Sequence, residues 1–486
     1  MKKVKTLIIA SFGLEPKHIT LETLAALKKC DAVFSDCLDG AGGAGEFIRR
    51  ACVNFEFLRG FPGRGIAARL NEAFIRHDTV GFLTYGNPCF LNPATTLISG
   101  IMAAAKVKVS ILPAVSSFDS IVNLLDLNKF SLSGLRLVRS VEDMEEMLFV
   151  PEMETLLFLP GHLNRKENEK HKKRFLNSLR SAYPGEHAVF LINRPCMDSG
   201  GGLIKTTVSG FENIFDKVDK ATTVFLPAAA ENTKYDRLLP PGADAGSLPD
   251  KCLKKEKTLI IASYGLKPKQ ITLETLSALK KCGMVFSHSL ESGCGDFIAQ
   301  SCAGFESLRL LTGAAIAARL EKAFIDHDVV GFLTCGNPFF LNATTALIKN
   351  SMAAAKVQVH VLPAVSSFDS IVNLLDLNKF SLNGLRVVDT AASMEDMRFT
   401  PEMDTLFFVA GDLNLKGNNK PRAAFLKGVA SVYPGAHPVN IINCPSIDDA
   451  PGRLINTTVA EFAGVFSKVN KASTILVPAV TGKQNK

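Results

Sequence analysis

Long apolar runs are missing from this sequence. No stretch approaches the roughly 18 residues of a membrane span, so a helical membrane protein is not expected. Eleven cysteines are present, but there is no CxxC pair and no Cys/His ligand spacing. Cys37, Cys89 and Cys196 even lack counterparts in the duplicated half described below. This excludes a disulfide frame and a zinc site as first readings, and reduced cytoplasmic thiols are expected. A basic stripe is also lacking. The net charge of +8 is modest for 486 residues and is spread out, which admits an anionic ligand and gives no reason to expect nucleic acid. Tyrosine is scarce, at five.

What is present is a long exact repetition. Leu112 to Leu132, LPAVSSFDSIVNLLDLNKFSL, returns letter for letter at Leu362 to Leu382. Gly86-Asn87-Pro88 returns as Gly336-Asn337-Pro338, and Tyr183-Pro184-Gly185 as Tyr433-Pro434-Gly435, both displaced by 250 positions (336 − 86). Near the amino end the displacement is 252, so one loop of the second copy is shorter by two residues. Two such units make a tandem pair and not a solenoid. The reading is repeat 1 at 1–228, a linker rich in Pro, Gly, Asp and Lys at 229–254, and repeat 2 at 255–486. The opening MKKVKTLIIASFG runs into a strand that the second copy repeats internally, so no cleaved signal is expected.

Within a copy, apolar β-branched runs alternate with helical patterns, the sign of a mainly parallel α/β sheet. Lys5 to Ser11, Ala32 to Phe34, Thr79 to Thr84 and Val107 to Leu112 read as strands. Helices are expected after Thr20 as cap, over 64–77 and 94–105, and after Ser116 or Ser117 as cap. A second subdomain begins near 134, with strands at Thr155 to Leu159, Val189 to Ile192, Leu203 to Thr207 and Thr222 to Leu226. Open α/β sheets bind ligands beyond the carboxyl ends of their strands. That puts Tyr85-Gly86-Asn87-Pro88 and Pro113-Ala114-Val115-Ser116-Ser117 at a candidate site. Gly40-x-Gly42-x-x-Gly45 nominally matches a dinucleotide fingerprint. It follows the second strand instead of opening the first unit, and the second copy has only Ser292-Gly293-Cys294-Gly295 there. A surface loop is the favoured reading over a nicotinamide redox enzyme.

The opening LIIASFGLEPKHITLETLAALKKCDAVF, the stretch FLTYGNPCFLNPA and the stretch LPAVSSFDS together resemble the tetrapyrrole (corrin/porphyrin) methylase superfamily, which has a Gly-Asp-Pro turn at the second and Pro-Gly-(Ile/Val)-Ser at the third. Through YGNP, LPAVS, YPGEHAV and TTVFLP the sequence is closer to borosin-type peptide backbone α-N-methyltransferases. The resemblance implies an α/β fold of two tandem methylase-like units, each of two α/β subdomains with a cleft between them, packed as an internal pseudo-dimer open to further dimerisation. It implies S-adenosylmethionine as cofactor. Tyr85, Asn87 and Phe90 are expected against its methionine and sulfonium part, Ser116 and Ser117 on its carboxylate or ribose side, Leu159 at the adenine, and Asn193, Thr222 and Thr223 closing the pocket. In repeat 2 the matching positions are Cys335, Asn337, Phe340, Ser366, Ser367, Val409, Asn443, Ser473 and Thr474.

The sequence departs from the family pattern in three places. The acidic residue of the Gly-Asp-Pro turn is Asn in both copies, the glycine-rich first loop survives only as Gly13 and Gly265, and the glycine of Pro-Gly-Val-Ser is Ala114 or Ala364. Borosin-type enzymes activate a backbone amide with tyrosines and an arginine, on a helix matching Phe55 to Ala68. Arg64 keeps the arginine, whereas Phe55, Leu58 and Ala68 replace tyrosines and Ala314 replaces the arginine in repeat 2. Repeat 1 is therefore the expected active half, with Arg64 and Tyr85 as catalytic candidates. Asp36, replaced by His288 in repeat 2, reads as a surface residue. His18, His77, His162 and His187 show no acidic or cysteine pairing, so no triad and no metal site are expected. The acceptor is open between a tetrapyrrole-like small molecule and a separate precursor peptide, since the VTGKQNK end is too short to be a fused one. The alternative is a methylase-fold scaffold without turnover.

Overall fold

The computed structural model describes residues 4–38, 43–139, 148–193, 202–238, 257–290, 295–378, 380–381, 383–392, 397–444 and 452–480. The chain forms two compact units, and the division cuts across the repeat. One unit combines Met1–Asn128 with Lys251–Asn378, the other Lys129–Asp250 with Lys379–Cys444 and Pro451–Lys486.

The first unit holds one five-stranded sheet from each copy. In copy 1 the strands are β1 (Thr6–Ser11), β2 (Ala32–Ser35), β3 (Phe55–Phe57), β4 (Thr79–Thr84) and β5 (Lys108–Ile111). Their order is β3-β2-β4-β1-β5 and every pairing is parallel. Central β1 and β4 are nearly continuous apolar runs because helices cover both faces of such a sheet, and Leu7, Ile9, Val80 and Phe82 are fully buried. Leu21–Leu27 starts where Thr20 accepts a hydrogen bond from Thr23 N, and Pro93–Ala104 where Asn92 caps Thr95 N. Phe55–Phe57 is an edge strand, and the neighbouring helix spans only Gly63–Ala73. This corrects the helix expected at Phe55 to Ala68: the alternation Phe55-Glu56-Phe57 has the period of a strand, and Pro62 fixes the turn before the helix begins.

The copies meet within this unit. Leu21 N donates to Ile271 O at 3.1 Å and Leu273 N to Ile19 O at 3.1 Å, around the bridge Thr20–Thr272. The Phe118 and Phe368 rings lie 4.3 Å apart, flanked by Phe340 and Phe90. The second sheet, β11 (Thr258–Ser263), β12 (Met284–Ser287), β13 (Phe305–Ser307), β14 (Val329–Thr334) and β15 (Gln358–Val361), repeats the order as β13-β12-β14-β11-β15.

The second unit is built on one sheet of ten strands. Copy 1 supplies β6 (Leu135–Arg139), β7 (Glu154–Phe158), β8 (Ala188–Asn193), β9 (Gly202–Thr207) and β10 (Thr222–Leu226); copy 2 supplies β16 (Leu385–Asp389), β17 (Asp404–Phe408), β18 (Pro438–Asn443), β19 (Arg453–Thr458) and β20 (Ser473–Val477). The order is β19-β18-β20-β17-β16-β6-β7-β10-β8-β9. The copies join at β6 and β16, which pair antiparallel with Arg136 opposite Arg386. Gly134 and Gly384, at φ +90° and +92°, make the approach possible, since a Cβ there would stand 2.6 Å from Val387 O or 2.5 Å from Leu137 O.

The first residues of the expected linker are packed. Ala229–Leu238 forms short helical turns, with Tyr235 buried and its hydroxyl donating to the Glu154 carboxylate. The remainder of 229–254 lies outside the described residues. Among the described residues, no helix is long and apolar enough to cross a membrane.

Candidate functional site

Because β2, β4, β1 and β5 run parallel, the turns after them gather on one edge of the first sheet. Gly86 N donates to Gly13 O at 2.9 Å, tying the turn after β4 to the turn after β1. Both glycines have positive φ, +63° and +76°, and they are glycine for different reasons. A Cβ on Gly13 would stand 2.7 Å from His18 Cβ, whereas a Cβ on Gly86 would find nothing within 4 Å. Gly86 thus leaves bare backbone beside open space at the carboxyl edge, where a ligand can approach closely.

Around it stand Tyr85, half-buried and edge-on to Phe12 at 6.2 Å, and Asp36 at the end of β2. Asp36 is half-buried, not the surface residue expected, and its Oδ1 is buried without a hydrogen-bond partner. Burial pushes its carboxyl above the usual range, against hydrogen bonds involving Cys37, its own backbone and Thr84. The signal in the sequence was its place as the residue that follows β2.

The expected partners at this edge have other engagements. Asn87 donates its amide to Asp369 of copy 2, at 3.0 Å to Oδ1 and 3.2 Å to the backbone oxygen, while its Oδ1 accepts from Cys89 N at 2.9 Å. Phe90 packs 5.5 Å from Phe368. Ser116 caps the helix Ser117–Leu125 in a capping box with Asp119. In copy 2, Asn337, Phe340 and Ser366 repeat these roles toward Asp119, Phe118 and Asp369. Ser117 and Ser367 are half-buried at the first helical position. Ala114 and Ala364 are buried. Arg64 stands exposed on the first turn of Gly63–Ala73.

The copy 2 edge keeps the glycine pair, with Gly336 N to Gly265 O at 2.9 Å, and changes the side chains. Tyr264 takes the place of Phe12, Cys335 that of Tyr85 and His288 that of Asp36. The Tyr264 hydroxyl donates to Ser289 O at 3.2 Å. Burial pushes the Cys335 thiol up, opposed by a hydrogen bond with Tyr264. The His288 ring stacks 5.3 Å from Phe332, and burial lowers its pKa. Tyr264 thus stands at the end of β11 where copy 1 has Phe12 at the end of β1.

In the second unit, Leu159 and Val409 both adopt left-handed backbone, φ +59° and +57°, at the ends of β7 and β17. A left-handed valine is a rare conformation that costs about 1–3 kcal/mol and marks positions fixed by their surroundings. The next turn explains the constraint: a Cβ on Gly161 or Gly411 would come within 2.2 Å of the backbone of Asp219 or Asn470. Thr222 Oγ1 lies 2.6 Å from Asn193 Oδ1 and 2.8 Å from Asp219 Oδ1. Ser473 repeats the contact with Asn443. Thr223 and Thr474 are buried at the next strand position, on the opposite face.

One histidine departs from expectation. Nε2 of His18 lies 3.1 Å from Glu274 Oε2, so His18 has an acidic neighbour supplied by the other copy. Among the described residues, no group of three or more His, Cys, Asp or Glu is placed to hold a metal. Gly40 and Gly42 of the glycine-rich loop lie outside the described residues.

The family described as Tetrapyrrole (Corrin/Porphyrin) Methylases matches residues 6–200 and 258–392. No curated protein matches the chain. Solved structures similar to it include a uroporphyrin-III-C-methyltransferase from Thermus thermophilus, at 16% identity and TM-score 0.38, covering 49% of this chain and 97% of that one. A cobalt precorrin-4 methyltransferase, a cobalamin biosynthetic enzyme, matches at 16% and 0.35, covering 48% and 96%. A Thermus thermophilus uroporphyrin-III C-methyltransferase complexed with S-adenosylhomocysteine matches at 14% and 0.35, covering 46% and 97%. The assignment rests on the family match, which extends over both copies.

Proposed function

Because this chain belongs to the tetrapyrrole (corrin/porphyrin) methylase family, we propose that it is an S-adenosylmethionine-dependent methyltransferase acting at the carboxyl edge of its first parallel sheet. The observation that carries this reading is Gly86: left-handed, hydrogen-bonded to Gly13, and without any atom where a side chain would stand. That open backbone fits a nucleoside-sized group. Asn87 and Ser116 contribute position, since their side chains are already bonded. Tyr85, Ser117 and the backbone of Gly86 stand at this edge as the groups proposed to hold the cofactor. Leu159, Asn193, Thr222 and Thr223 enter the reading through the family resemblance alone.

When bound, S-adenosylmethionine supplies an electrophilic methyl group on a sulfonium. Displacement at such a carbon needs an aligned, dehydrated acceptor more than it needs acid or base. Tyr85, backed by the buried Phe12 ring, gives the edge an apolar surface with one polar tip. Asp36, whose carboxyl holds its proton to higher pH than usual, is placed to take a proton from an acceptor that must lose one. Arg64 offers a charge to an anionic acceptor from the neighbouring helix. The family supports a tetrapyrrole-like small molecule. A separate peptide is supported by the borosin-type likeness of the YGNP and LPAVS stretches and weakened by the missing tyrosines around Arg64.

Calorimetry with S-adenosylmethionine on the whole chain tests the proposal. Binding that is lost in Gly86→Val supports it, and no heat at millimolar cofactor removes it. A specific observation favours the second reading, a scaffold without turnover: the side chains of Asn87, Phe90 and Ser116 all serve contacts between the copies or a helix cap. S-adenosylhomocysteine released with a macrocyclic or peptide acceptor decides against the scaffold.

A further inference from the structure

One polar meeting of the two copies is a pair of fully buried carboxyl groups, Asp119 of copy 1 and Asp369 of copy 2. Asp119 and Asp369 are each 0% exposed. Each closes the capping box of its own helix, accepting Ser116 N at 2.8 Å or Ser366 N at 3.0 Å on Oδ2. Each then accepts the amide of the other copy's turn on Oδ1, Asn337 at 3.2 Å and Asn87 at 3.0 Å. The rings of the preceding residues, Phe118 and Phe368, lie 4.3 Å apart at an interplanar angle of 38°, so the two first turns face each other across the boundary between copies.

No cation serves this pair among the described residues. The nearest candidate by connectivity, Lys349, lies 2.5 Å and 2.6 Å from the two Asp126 oxygens at the far end of the helix Ser117–Leu125. Other titratable groups on the packed elements include Cys89, whose thiol burial pushes up to about 12, Asp376, which faces Cys89, and Tyr85 and Cys335, which open the two turns. Two ionised carboxylates in a dry contact repel strongly, and helix dipoles and amide donors offset only part of that. A single proton between them removes the repulsion and adds a hydrogen bond, as in any close carboxyl pair.

We propose that Asp119 and Asp369 bind one proton between them, and that this proton fastens the Asn87 turn of copy 1 and the Asn337 turn of copy 2 to each other's helices. Both carboxyls are pushed above the ordinary 3.8, first by burial; the other carboxyl adds its charge at Asp119, whereas hydrogen bonds oppose the rise at Asp369. The sign follows. The folded chain keeps a proton that the unfolded chain releases above the ordinary aspartate range. The contribution is therefore whole in acid and falls as pH rises toward the pair's own titration, by tenfold in the folding equilibrium for each pH unit. The inference does not depend on methyl transfer.

Infrared spectroscopy of the wild-type chain at about pH 7 reads the proton directly, as the C=O stretch of a buried neutral carboxylic acid. The band is expected in the wild type and weakened by the same amount in Asp119→Asn and in Asp369→Asn. Urea denaturation across neutral and alkaline pH is expected to show the one-proton slope in the wild type and its disappearance in either variant. A wild type without a neutral-carboxyl band at about pH 7 overturns the proposal, as does a band that neither substitution weakens. The wild-type spectrum keeps the test decisive even where a variant fails to fold.

Discussion

His18 and Glu274 belong to different copies and meet at 3.1 Å, with Lys17 Nζ at 2.8 Å from the other Glu274 oxygen. Burial alone would raise the Glu274 pKa; His18 and then Lys17 outweigh it and hold the carboxyl at about 2. In the reciprocal position, Gln270 donates to Glu22 at 3.3 Å with Lys269 nearby.

A depressed carboxyl contributes stability above its unfolded value of 4.5, and that stability is lost as pH falls through about 2. Glu274→Gln is expected to cost about 3 kcal/mol at neutral pH and to flatten the acid limb of the stability profile. Guanidinium melts from neutral to strongly acidic pH check this; an unchanged acid limb contradicts it.

The two glycines of the first edge separate folding from binding. Gly13→Ala is expected to destabilise by more than Gly86→Ala, because only the first drives a Cβ into His18. Gly86→Ala bears only the left-handed cost of about 1–2 kcal/mol and is expected to weaken S-adenosylmethionine binding by about tenfold or more, roughly 1.4 kcal/mol. Thermal melts and calorimetry on the pair read the two effects independently.

Arg136 is fully buried and bonds backbone only, with Nε to Asn383 O at 2.7 Å and Nη1 to Leu148 O. Burial lowers it to about 10. Arg136→Ala orphans both carbonyls, and a loss of about 3 kcal/mol or more is expected. Urea denaturation measures it, with Arg386→Ala as the matching case, since Arg386 bonds Ser133 O and Arg398 O.

Tyr235→Phe removes the hydroxyl donor from Glu154, which is 0% exposed. Lys234 remains at 3.2 Å, so a cost of about 1.5–3 kcal/mol is expected. A neutral result by denaturation would show that the hydroxyl bond to Glu154 adds nothing beyond the packing of the ring on Phe190 and Phe225.

Most strands and helices of the first sheet were legible because hydrophobic period, caps and turn residues agree there: the expected caps Thr20 and Ser116 both sit at helix starts in the structure. Leu135–Arg139 was missed. A five-residue run with arginine at its second and last positions does not look apolar enough for a core strand, and the carbonyls that satisfy Arg136 come from outside the run. Phe55–Phe57 was read as helix because a family likeness replaced the local two-residue period. At the edge of the sheet, sequence located Tyr85, Gly86 and Asn87. It did not show that Asn87 is bonded elsewhere, since Asp369 lies 282 positions from it. Asp36 looked superficial because its burial comes from neighbouring strands.

The covalent joining of the copies lets the boundary between them differ from one side to the other. In a dimer of identical chains every change near the axis is made twice, so an imidazole facing a carboxylate must be mirrored by the same pair. Here His18 faces Glu274 while Gln270 faces Glu22, and Lys349 binds Asp126 while its counterpart Ser99 is a short hydroxyl. Fusion has turned a mirrored seam into one with two distinguishable sides, and each edge is free to drift toward its own chemistry without dragging the other along.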